Sequence, residues 1–287
     1  MNEERTMRMA RLQIGWKRLR NNPAAMLGAI IIVGLVLVAI FAPWIAPYSP
    51  IEQSVRNRFQ PPSSVHWFGT DELGRDIFSR IVYGSRISLA VGVLATGIGA
   101  IIGTPIGLLS GYFRSLDGVL MRLMEIMMAF PGILLAIAIV AALGPGLINA
   151  MIAVGIAAVP NYARITRSSV LAVKTQEYIT AAKASGMSDL GIIWKHILPN
   201  SMAPLIVYST LNFSSAVLSA ATLSFLGLGA QPPQAEWGAM VSVARQYLQV
   251  APFTALFPTL AIFITVLAFN FLGDGLRDWL DPKVRVS

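Results

Sequence analysis

The sequence predicts an all-α, polytopic membrane protein with six transmembrane helices and one cytoplasmic loop that folds into two short helices. Two observations lead to this fold class. Hydrophobic residues make up 55% of the 287 residues and charged residues only 13%, and the mean hydropathy of +0.64 is too high for a soluble globule. The chain also contains long charge-free intervals, each able to supply the roughly 20 apolar residues that a bilayer crossing requires.

The charge-free intervals define the six candidate spans in order. The interval from Ile126 to Ala163 is too long for one crossing, and Gly144, Pro145 and Gly146 interrupt it, so it predicts a tight helical hairpin. The six predicted spans cover residues 25–46, 88–110, 128–143, 147–163, 203–228 and 254–272. An even number of crossings puts both chain termini on the same side of the membrane.

The distribution of lysine and arginine predicts which side that is, because cytoplasmic segments carry the excess of basic residues. The side of the termini has 16 of the 22 basic residues and the opposite side has 6. Both termini are therefore expected in the cytoplasm. The predicted domains are a cytoplasmic tail at 1–24, the first span at 25–46, an external loop at 47–87, a helical core at 88–272 that includes an external loop at 231–253, and a cytoplasmic tail at 273–287.

The residues that the chain lacks exclude several kinds of site. It has no cysteine and only two histidines, His66 and His196, so we expect neither a thiolate nor a His-rich metal site. A cofactor and catalytic residues are likewise not expected. The predicted spans contain no ionisable Asp, Glu, Lys, Arg or His, whereas ion-coupled carriers usually need one there. No loop ending in Gly-Lys-Ser/Thr is present, so a pump would need ATP bound by another polypeptide. A passive channel stays an alternative. The net charge of +8 is dispersed between apolar runs, so nucleic acid is not an expected partner.

The second span carries a glycine at every fourth position over four repeats. Small residues at this spacing let two helix backbones approach closely, although glycine is also common in membrane helices generally. The glycines that we predict to form a helix-packing seam are Gly99, Gly103, Gly107 and Gly111.

The fifth span has a stripe of uncharged polar residues along one helical face, in steps of four and three residues. The stripe consists of Tyr208, Asn212, Ser215, Ser219 and Thr222. Hydroxyl and amide groups without charge suit a passage for a bulky, variable solute, and hydrogen bonding between helices explains the pattern equally well. The stripe is therefore a candidate translocation path, with the second interpretation open.

Residues 175–200 are too polar for a span and too regular in pattern for a linker. Glu177 to Ala184 are good helix formers with an acidic first turn, and Gly186 is placed to end that helix. Ser188 is placed as the N-cap of a second helix that ends at Pro199. The pattern predicts either a compact knob that docks a soluble partner or an amphipathic hairpin that lies on the lipid headgroups.

A second charged segment, GTDELGRD, lies on the predicted external face. Asp71 and Arg75 are four residues apart, and we expect them to stabilise a short helix rather than to take part in catalysis. His66 is expected to be a loop residue and not a nickel ligand, because one histidine without nearby partners makes a poor metal site.

The knob pattern resembles the EAA loop of ABC-importer permeases, which reads Glu-Ala-Ala, three residues, Gly, nine residues and then Ile-x-Leu-Pro. Five positions match it, namely Ala181, Ala182, Gly186, Leu198 and Pro199. Thr180 replaces the glutamate and His196 replaces the isoleucine, and whether Glu177, one turn upstream, supplies the missing carboxylate is left open. The resemblance implies a docking site for an ATPase, formed by Glu177, Tyr178, Ala181, Ala182, Lys183, Gly186, Leu198 and Pro199.

Over nearly its whole length the chain resembles the C-type subunit of the dipeptide, oligopeptide and nickel permease family. The matching segments are WKRLRNNPAAMLG, FAPWIAPYSP, HWFGTDELGRDIFSRIVYGSRISLAVG, LSFLGLGAQPPQAEWGAM and FNFLGDGLRDWLDPKVR. This resemblance implies a subunit of the bacterial inner membrane, surrounded by lipid, that pairs with a homologous second permease. It also implies two ABC ATPase subunits, which bind the ATP, and an external substrate-binding protein. Di- and oligopeptides are the expected substrates, and nickel chelates or glutathione are the alternatives.

Overall fold

The computed structural model describes residues 22–280, and this part of the chain is almost entirely helical, without a β-strand. Its helices are α1 (Pro23–Ile40), α2 (Ala42–Ile45), α3 (Ile77–Tyr112), α4 (Arg114–Met128), α5 (Gly132–Leu143), α6 (Leu147–Lys174), α7 (Glu177–Ala184), α8 (Asp189–Ile192), α9 (Leu198–Phe225), α10 (Trp237–Ala244) and α11 (Phe253–Leu280). A π-helical turn, Ile193–Ile197, joins α8 to α9. Residues 1–21 and 281–287, which belong to the two predicted tails, lie outside the described residues.

Five helical segments are long and apolar enough to cross a membrane, namely α1, α3, α6, the run Asp189–Phe225 and α11. Helices α4 and α5 form a sixth candidate span, but they meet at an angle of 90°. The prediction that residues 128–143 form a span by themselves is therefore wrong: α5 has 12 residues and is only ~18 Å long. Pro131 precedes α5 and cannot continue α4, which accounts for the bend. The all-α membrane fold is confirmed, with six spans if the bent pair counts as one.

Several helices extend beyond the predicted spans. Helix α3 begins at Ile77, inside the predicted external loop at 47–87, because the Asp76 carboxylate caps it and accepts a hydrogen bond from the Ser79 amide at 2.7 Å. Helix α11 continues to Leu280, so residues 273–280 of the predicted C-terminal tail are helical. Charge-free intervals mark the apolar part of each helix, whereas backbone hydrogen bonds continue the helix into its polar flanks.

The turn between α5 and α6 lies at Gly144, Pro145 and Gly146, the three residues that interrupt the charge-free interval. Gly144 has φ of +91° and Gly146 has φ of +152°, angles that L side chains rarely adopt. The Asn149 amide group closes the turn by donating to the carbonyls of Leu143 at 3.1 Å and Gly144 at 2.9 Å. The two helices therefore form an antiparallel hairpin that is set by this short turn.

Helices α3 and α6 form the most extensive helix pair, and all four glycines of the predicted seam lie against α6. A Cβ atom added to each glycine would approach an α6 atom to 3.0 Å at Gly99, 2.5 Å at Gly103, 2.4 Å at Gly107 and 2.7 Å at Gly111. At Gly103 and Gly107 an added Cβ would meet a backbone carbonyl oxygen of α6, so a side chain there requires the helices to move, whereas at Gly99 and Gly111 the nearest atoms belong to side chains. The close approach of these two helices therefore depends on the missing side chains.

Buried ion pairs hold the charged turn that precedes α3. Arg75 donates from Nε to Asp71 Oδ2 at 2.7 Å and from Nη2 to Glu72 Oε1 at 2.6 Å. The expected pairing of Asp71 with Arg75 is present, but the expected short helix is wrong, because the segment is a turn with Gly74 at φ +72°. Asp71 Oδ1 also accepts hydrogen bonds from the amides of Leu73 and Arg75, and such local bonds compete with helix formation.

Candidate functional site

The loop between α6 and α9 folds into a knob, which comprises residues 177–197. Its first helix, α7, has the predicted bounds Glu177–Ala184. Ile179 and Ala182 lie one turn apart and form the buried face, with exposed fractions of 1% and 9%. The opposite face is exposed to solvent and consists of Glu177, Tyr178, Thr180, Ala181 and Lys183. Helix α7 is therefore anchored by one face, and its other face is exposed.

Gly186 ends α7 in the left-handed conformation, with φ of +81°. Its amide donates to the Lys183 carbonyl at 3.0 Å, and the Met187 amide donates to the Ala182 carbonyl at 3.1 Å. These two bonds form a Schellman motif, which satisfies the last carbonyls of the helix and favours glycine. An added Cβ would meet no atom within 4 Å. The backbone angle, and not lack of space, therefore accounts for the glycine at this position.

The second helix of the knob starts at the expected residue but does not end where expected. The Ser188 hydroxyl caps α8 and accepts a hydrogen bond from the Gly191 amide at 3.3 Å. The predicted end at Pro199 is wrong, because α8, the π-helical turn and α9 follow one another as one run, Asp189–Phe225, of 37 residues. Proline lacks an amide hydrogen, and it is tolerated at Pro199 because it lies in the first turn of α9, directly after the wider turn.

A buried apolar cluster joins the knob to the ends of α3 and α6. The cluster consists of Leu108, Tyr112, Val170, Ile179, Ala182, Ile192, Ile193 and Ile197. Within it, the Tyr112 hydroxyl donates to Asp189 Oδ1 at 2.5 Å. Tyr112 and Asp189 were not found by sequence reasoning, because 77 residues separate them and no periodic pattern links a helix end to a distant loop.

Leu198 and Pro199, the last matching positions of the loop pattern, belong to α9 and not to a separate knob helix. Leu198 is half-buried against the knob cluster, and Pro199 is exposed. Of the two departures from the pattern, Thr180 is exposed on α7, and His196 lies in the π-helical turn with its ring centroid 6.1 Å from that of Tyr178.

Three residues of the polar stripe on α9 line a cleft between α5, α6 and α9. These residues are Asn212, Ser215 and Ser219, and Asn161 of α6 faces the same cleft. The remaining lining is apolar and comes mainly from alanine, isoleucine, valine and glycine side chains of α5 and α6. The cleft is thus uncharged, and its hydroxyl and amide groups come from α9 and from Asn161 of α6.

The same stripe also makes hydrogen bonds with neighbouring groups. Asn212 is 9% exposed and donates from Nδ2 to Thr96 Oγ1 of α3 at 3.3 Å. The Tyr208 hydroxyl donates to Asn212 Oδ1 at 3.4 Å, and the Thr222 hydroxyl donates to the Leu218 carbonyl at 2.8 Å. The two interpretations of the stripe are therefore not exclusive, since Asn212 both contacts α3 and lines the cleft.

An ion pair that the sequence did not reveal joins α4 to α6. Arg167 donates from Nε to Asp117 Oδ1 and from Nη2 to Asp117 Oδ2, both at 2.6 Å. The two side chains are about one third exposed, at 33% for Arg167 and 28% for Asp117. This bidentate contact connects the bent pair α4–α5 to the helix that leads into the knob.

Residues 22–280 contain no group of three or more His, Asp or Glu side chains that could hold a metal ion. His66 is buried in the loop between α2 and α3, where its Nδ1 lies 2.9 Å from Asp76 Oδ1. This contact joins the loop to the residue that caps α3.

Two family models match the chain. One, described as a binding-protein-dependent transport system inner membrane component, matches residues 103–286, and the other, described as the N-terminal TM domain of oligopeptide transport permease C, matches residues 11–62. The chain belongs to the permease family of binding-protein-dependent ABC importers. Members of this family are non-enzymatic membrane components, and the expected C-type assignment is confirmed.

Curated relatives cover the permease nearly end to end. A dipeptide transport system permease protein of Alkalihalophilus pseudofirmus is 54% identical over 271 residues, which is 94% of this chain and 89% of that protein. A glutathione transport system permease protein of Escherichia coli O157:H7 is 52% identical over 272 residues, 94% of this chain and 90% of that protein.

Two solved transporters share the fold of the permease. A chain of the inward-facing MetNI methionine ABC transporter has a TM-score of 0.59 at 22% identity and aligns with 71% of this permease and 97% of its own length. A chain of an amino acid ABC transporter crystallised with histidines has a TM-score of 0.53 at 16% identity, with 69% of this permease and 92% of that chain covered. At these identities the likeness concerns the fold alone.

Proposed function

We propose that this permease forms one half of the translocation path of an importer for di- and oligopeptides, and that a homologous second permease forms the other half. The excess of lysine and arginine on the side of the termini supports a topology with both termini and the knob in the cytoplasm. The observation that supports this proposal most strongly is the knob. Ile179 and Ala182 anchor its first helix, and the rest of α7 is exposed and free to contact a partner.

In this assignment, one of two ABC ATPase subunits docks on the exposed face of α7, with Glu177, Tyr178, Ala181 and Lys183 as contacts. The ATPases bind ATP and the permease binds no cofactor. Gly186 fixes the angle between the two parts of the knob through its left-handed backbone. Closure of the ATPases would then move the knob, and the permease helices would alternate between outward-facing and inward-facing states.

The cleft along α9 is the proposed passage for the solute, with Asn212, Ser215 and Ser219 on its polar side. A peptide backbone carries amide donors and carbonyl acceptors regardless of its side chains. Uncharged hydroxyl and amide groups can pair with that backbone without selecting one side chain, which suits a family of related peptides. An external binding protein would deliver the solute to the end of the passage that lies farthest from the knob.

Glutathione import is a second candidate function. It is favoured by the 52% identity to a glutathione transport system permease, nearly as high as the 54% identity to the dipeptide permease. Glutathione is itself a peptide, so the same uncharged cleft would serve both substrates.

The test is reconstitution of the permease in proteoliposomes together with a second permease, the ATPases and an external binding protein. We expect the two permeases and two ATPases to purify as one complex, and ATP to drive uptake of labelled alanyl-alanine only when the binding protein is present. Glutathione uptake without dipeptide uptake would select the second candidate. Uptake by the permease alone, without ATP, would contradict both.

A further inference from the structure

Tyr112 connects the last turn of α3 to the knob through contacts with three separate segments. Its side chain is 5% exposed and belongs to the buried cluster that also contains Ile179 and Ala182 of α7. Its hydroxyl donates to the carboxylate of Asp189, the first residue of α8, at 2.5 Å. A hydrogen bond to an ionised acceptor is about twice as strong as one between neutral groups. One side chain of α3 therefore contacts both helices of the knob.

Two lysines from either side of the loop converge on the same tyrosine. The ammonium of Lys174, the last residue of α6, lies 5.1 Å from the ring centroid, and that of Lys183 in α7 lies 5.2 Å from it. Both distances are within the range of a cation–π interaction. Lys174 Nζ also donates to the Tyr112 carbonyl at 2.5 Å, where a positive charge is favourable because α3 ends at this residue.

Because Tyr112 is the last residue of α3, a force on these contacts acts on the end of that helix. The neighbouring Gly111 is the last glycine of the seam that packs α3 against α6, and Val170 of α6 lies against it. Toward the other end of α3, Thr96 accepts a hydrogen bond from Asn212 beside the proposed passage. A displacement of the knob that acts on Tyr112 would therefore move a helix that reaches the passage.

We propose that Tyr112 is a positioning residue for coupling: through its hydrogen bond to Asp189 it holds the knob to α3, so that movement of the knob is transmitted to the translocation path. This inference rests on the proposed importer function, and it assigns a role to a residue outside the loop pattern. The ring supplies packing and the cation–π contacts, whereas the hydroxyl supplies the directional link.

The substitution Tyr112→Phe separates these two contributions, because phenylalanine keeps the ring and loses only the hydroxyl. In the reconstituted complex we expect alanyl-alanine uptake per ATP hydrolysed to fall about tenfold, equivalent to about 1.4 kcal/mol, while ATP hydrolysis persists. Asp189→Ala should give the same loss, and the double variant should lose no more than either single variant. Asp189→Asn keeps an acceptor oxygen and should retain most of the coupling.

The matched control is Tyr48→Phe, which removes another tyrosine hydrogen bond, from the Tyr48 hydroxyl to the Val65 carbonyl, in the external loop. This variant should couple normally. If Tyr112→Phe transports as much solute per ATP as the wild-type complex, or if Tyr48→Phe loses as much, the inference is overturned.

A second readout does not depend on transport, so failure of the inference is distinguishable from failure of the importer function. The chain has no cysteine, so spin labels can be attached to Ser115→Cys and Ala184→Cys without other substitutions. Both positions are exposed, one at the start of α4 and the other at the end of α7. We expect Tyr112→Phe to broaden the distance distribution between the labels in the assembled complex. An unchanged distribution would show that the hydroxyl does not hold the knob.

Discussion

Gly103 of α3 lies so close to Val159 of α6 that a Cβ added to the glycine would stand 2.5 Å from the Val159 carbonyl oxygen. That oxygen belongs to a helix backbone, so it cannot rotate away as a flexible side chain would. The two helices must separate to admit even one methyl group. The packing of α3 against α6 therefore imposes a strict size limit at this position.

We predict that Gly103→Ala destabilises the permease by about 1–3 kcal/mol, the usual range for overpacking a tight interface. The measurement is the temperature at which the purified protein in detergent loses its monodisperse peak in size-exclusion chromatography. Gly97→Ala on the same helix is the control, because its added Cβ would meet no atom within 4 Å. A melting temperature that is equal for both variants would contradict the seam.

Gly186 gives a prediction about backbone conformation instead of space. Gly186→Val should cost about 1–2 kcal/mol, because a side chain is strained at a left-handed φ, and ATP-driven uptake should fall while membrane insertion is retained. Asparagine tolerates this conformation better, so Gly186→Asn should keep more activity than valine. The measurement is ATP-driven uptake by the glycine, asparagine and valine proteins at equal abundance in the membrane, and we expect uptake to decrease in that order. Equal activity for valine and glycine would show that the angle of the knob is unimportant.

Ser215 allows the proposed passage to be tested by obstruction. It is exposed to the cleft on α9, so Ser215→Leu should narrow the passage. A barrier increase of about 1.4 kcal/mol slows passage about tenfold, and bulky peptides should be affected more than alanyl-alanine. Thr210→Leu is the control, since Thr210 lies on the same helix and does not line the cleft. If the two variants import peptides equally well, the passage lies elsewhere.

Glu236 gives a prediction about pH. It caps α10 by accepting hydrogen bonds from the amides of Gly238 at 3.0 Å and Ala239 at 2.8 Å. Burial raises the pKa of this carboxyl above its ordinary value of 4.5, and the hydrogen bonds from the two amides and Ser224 oppose that rise only in part. The folded state therefore binds this proton more tightly than the unfolded state does.

The stability that this preference contributes is fully present below pH 4.5 and is lost as the pH rises through the raised pKa. Glu236→Gln keeps an acceptor oxygen and removes the charge, so the variant should lose less stability than the wild type over that interval. Thermal unfolding of both proteins between pH 4 and pH 8 checks this. Parallel stability curves would contradict the assignment.

The sequence predicts the first half of the knob to the residue, because its signals are local. Glu177 begins α7, and Gly186 provides the left-handed residue that the Schellman motif requires. The predicted helix end at Pro199 is wrong because proline often stops a helix, and no local sequence pattern indicated the π-helical turn that precedes it. The turn at Asp71 was misread as a helix because the spacing of two charges does not reveal the hydrogen bonds of the Asp71 side chain.

Contacts and angles between segments that are distant in the sequence could not be predicted from local sequence patterns. A charge-free interval reports how apolar a segment is, and the 90° bend between α4 and α5 leaves that property unchanged. The spacing of the seam glycines indicates a packing face, but not that α6 is the partner. Tyr112 and Asp189 meet only because the knob folds back onto the end of α3.

The uninterrupted run Asp189–Phe225 acts geometrically as a lever arm. Its 37 residues extend over roughly 55 Å at 1.5 Å per residue. A tilt of only ~5° at the knob end would displace the far end by about 5 Å, comparable to one helical turn. Small rotations imposed by a nucleotide-driven motor would thus be magnified into displacements as large as an amino-acid side chain.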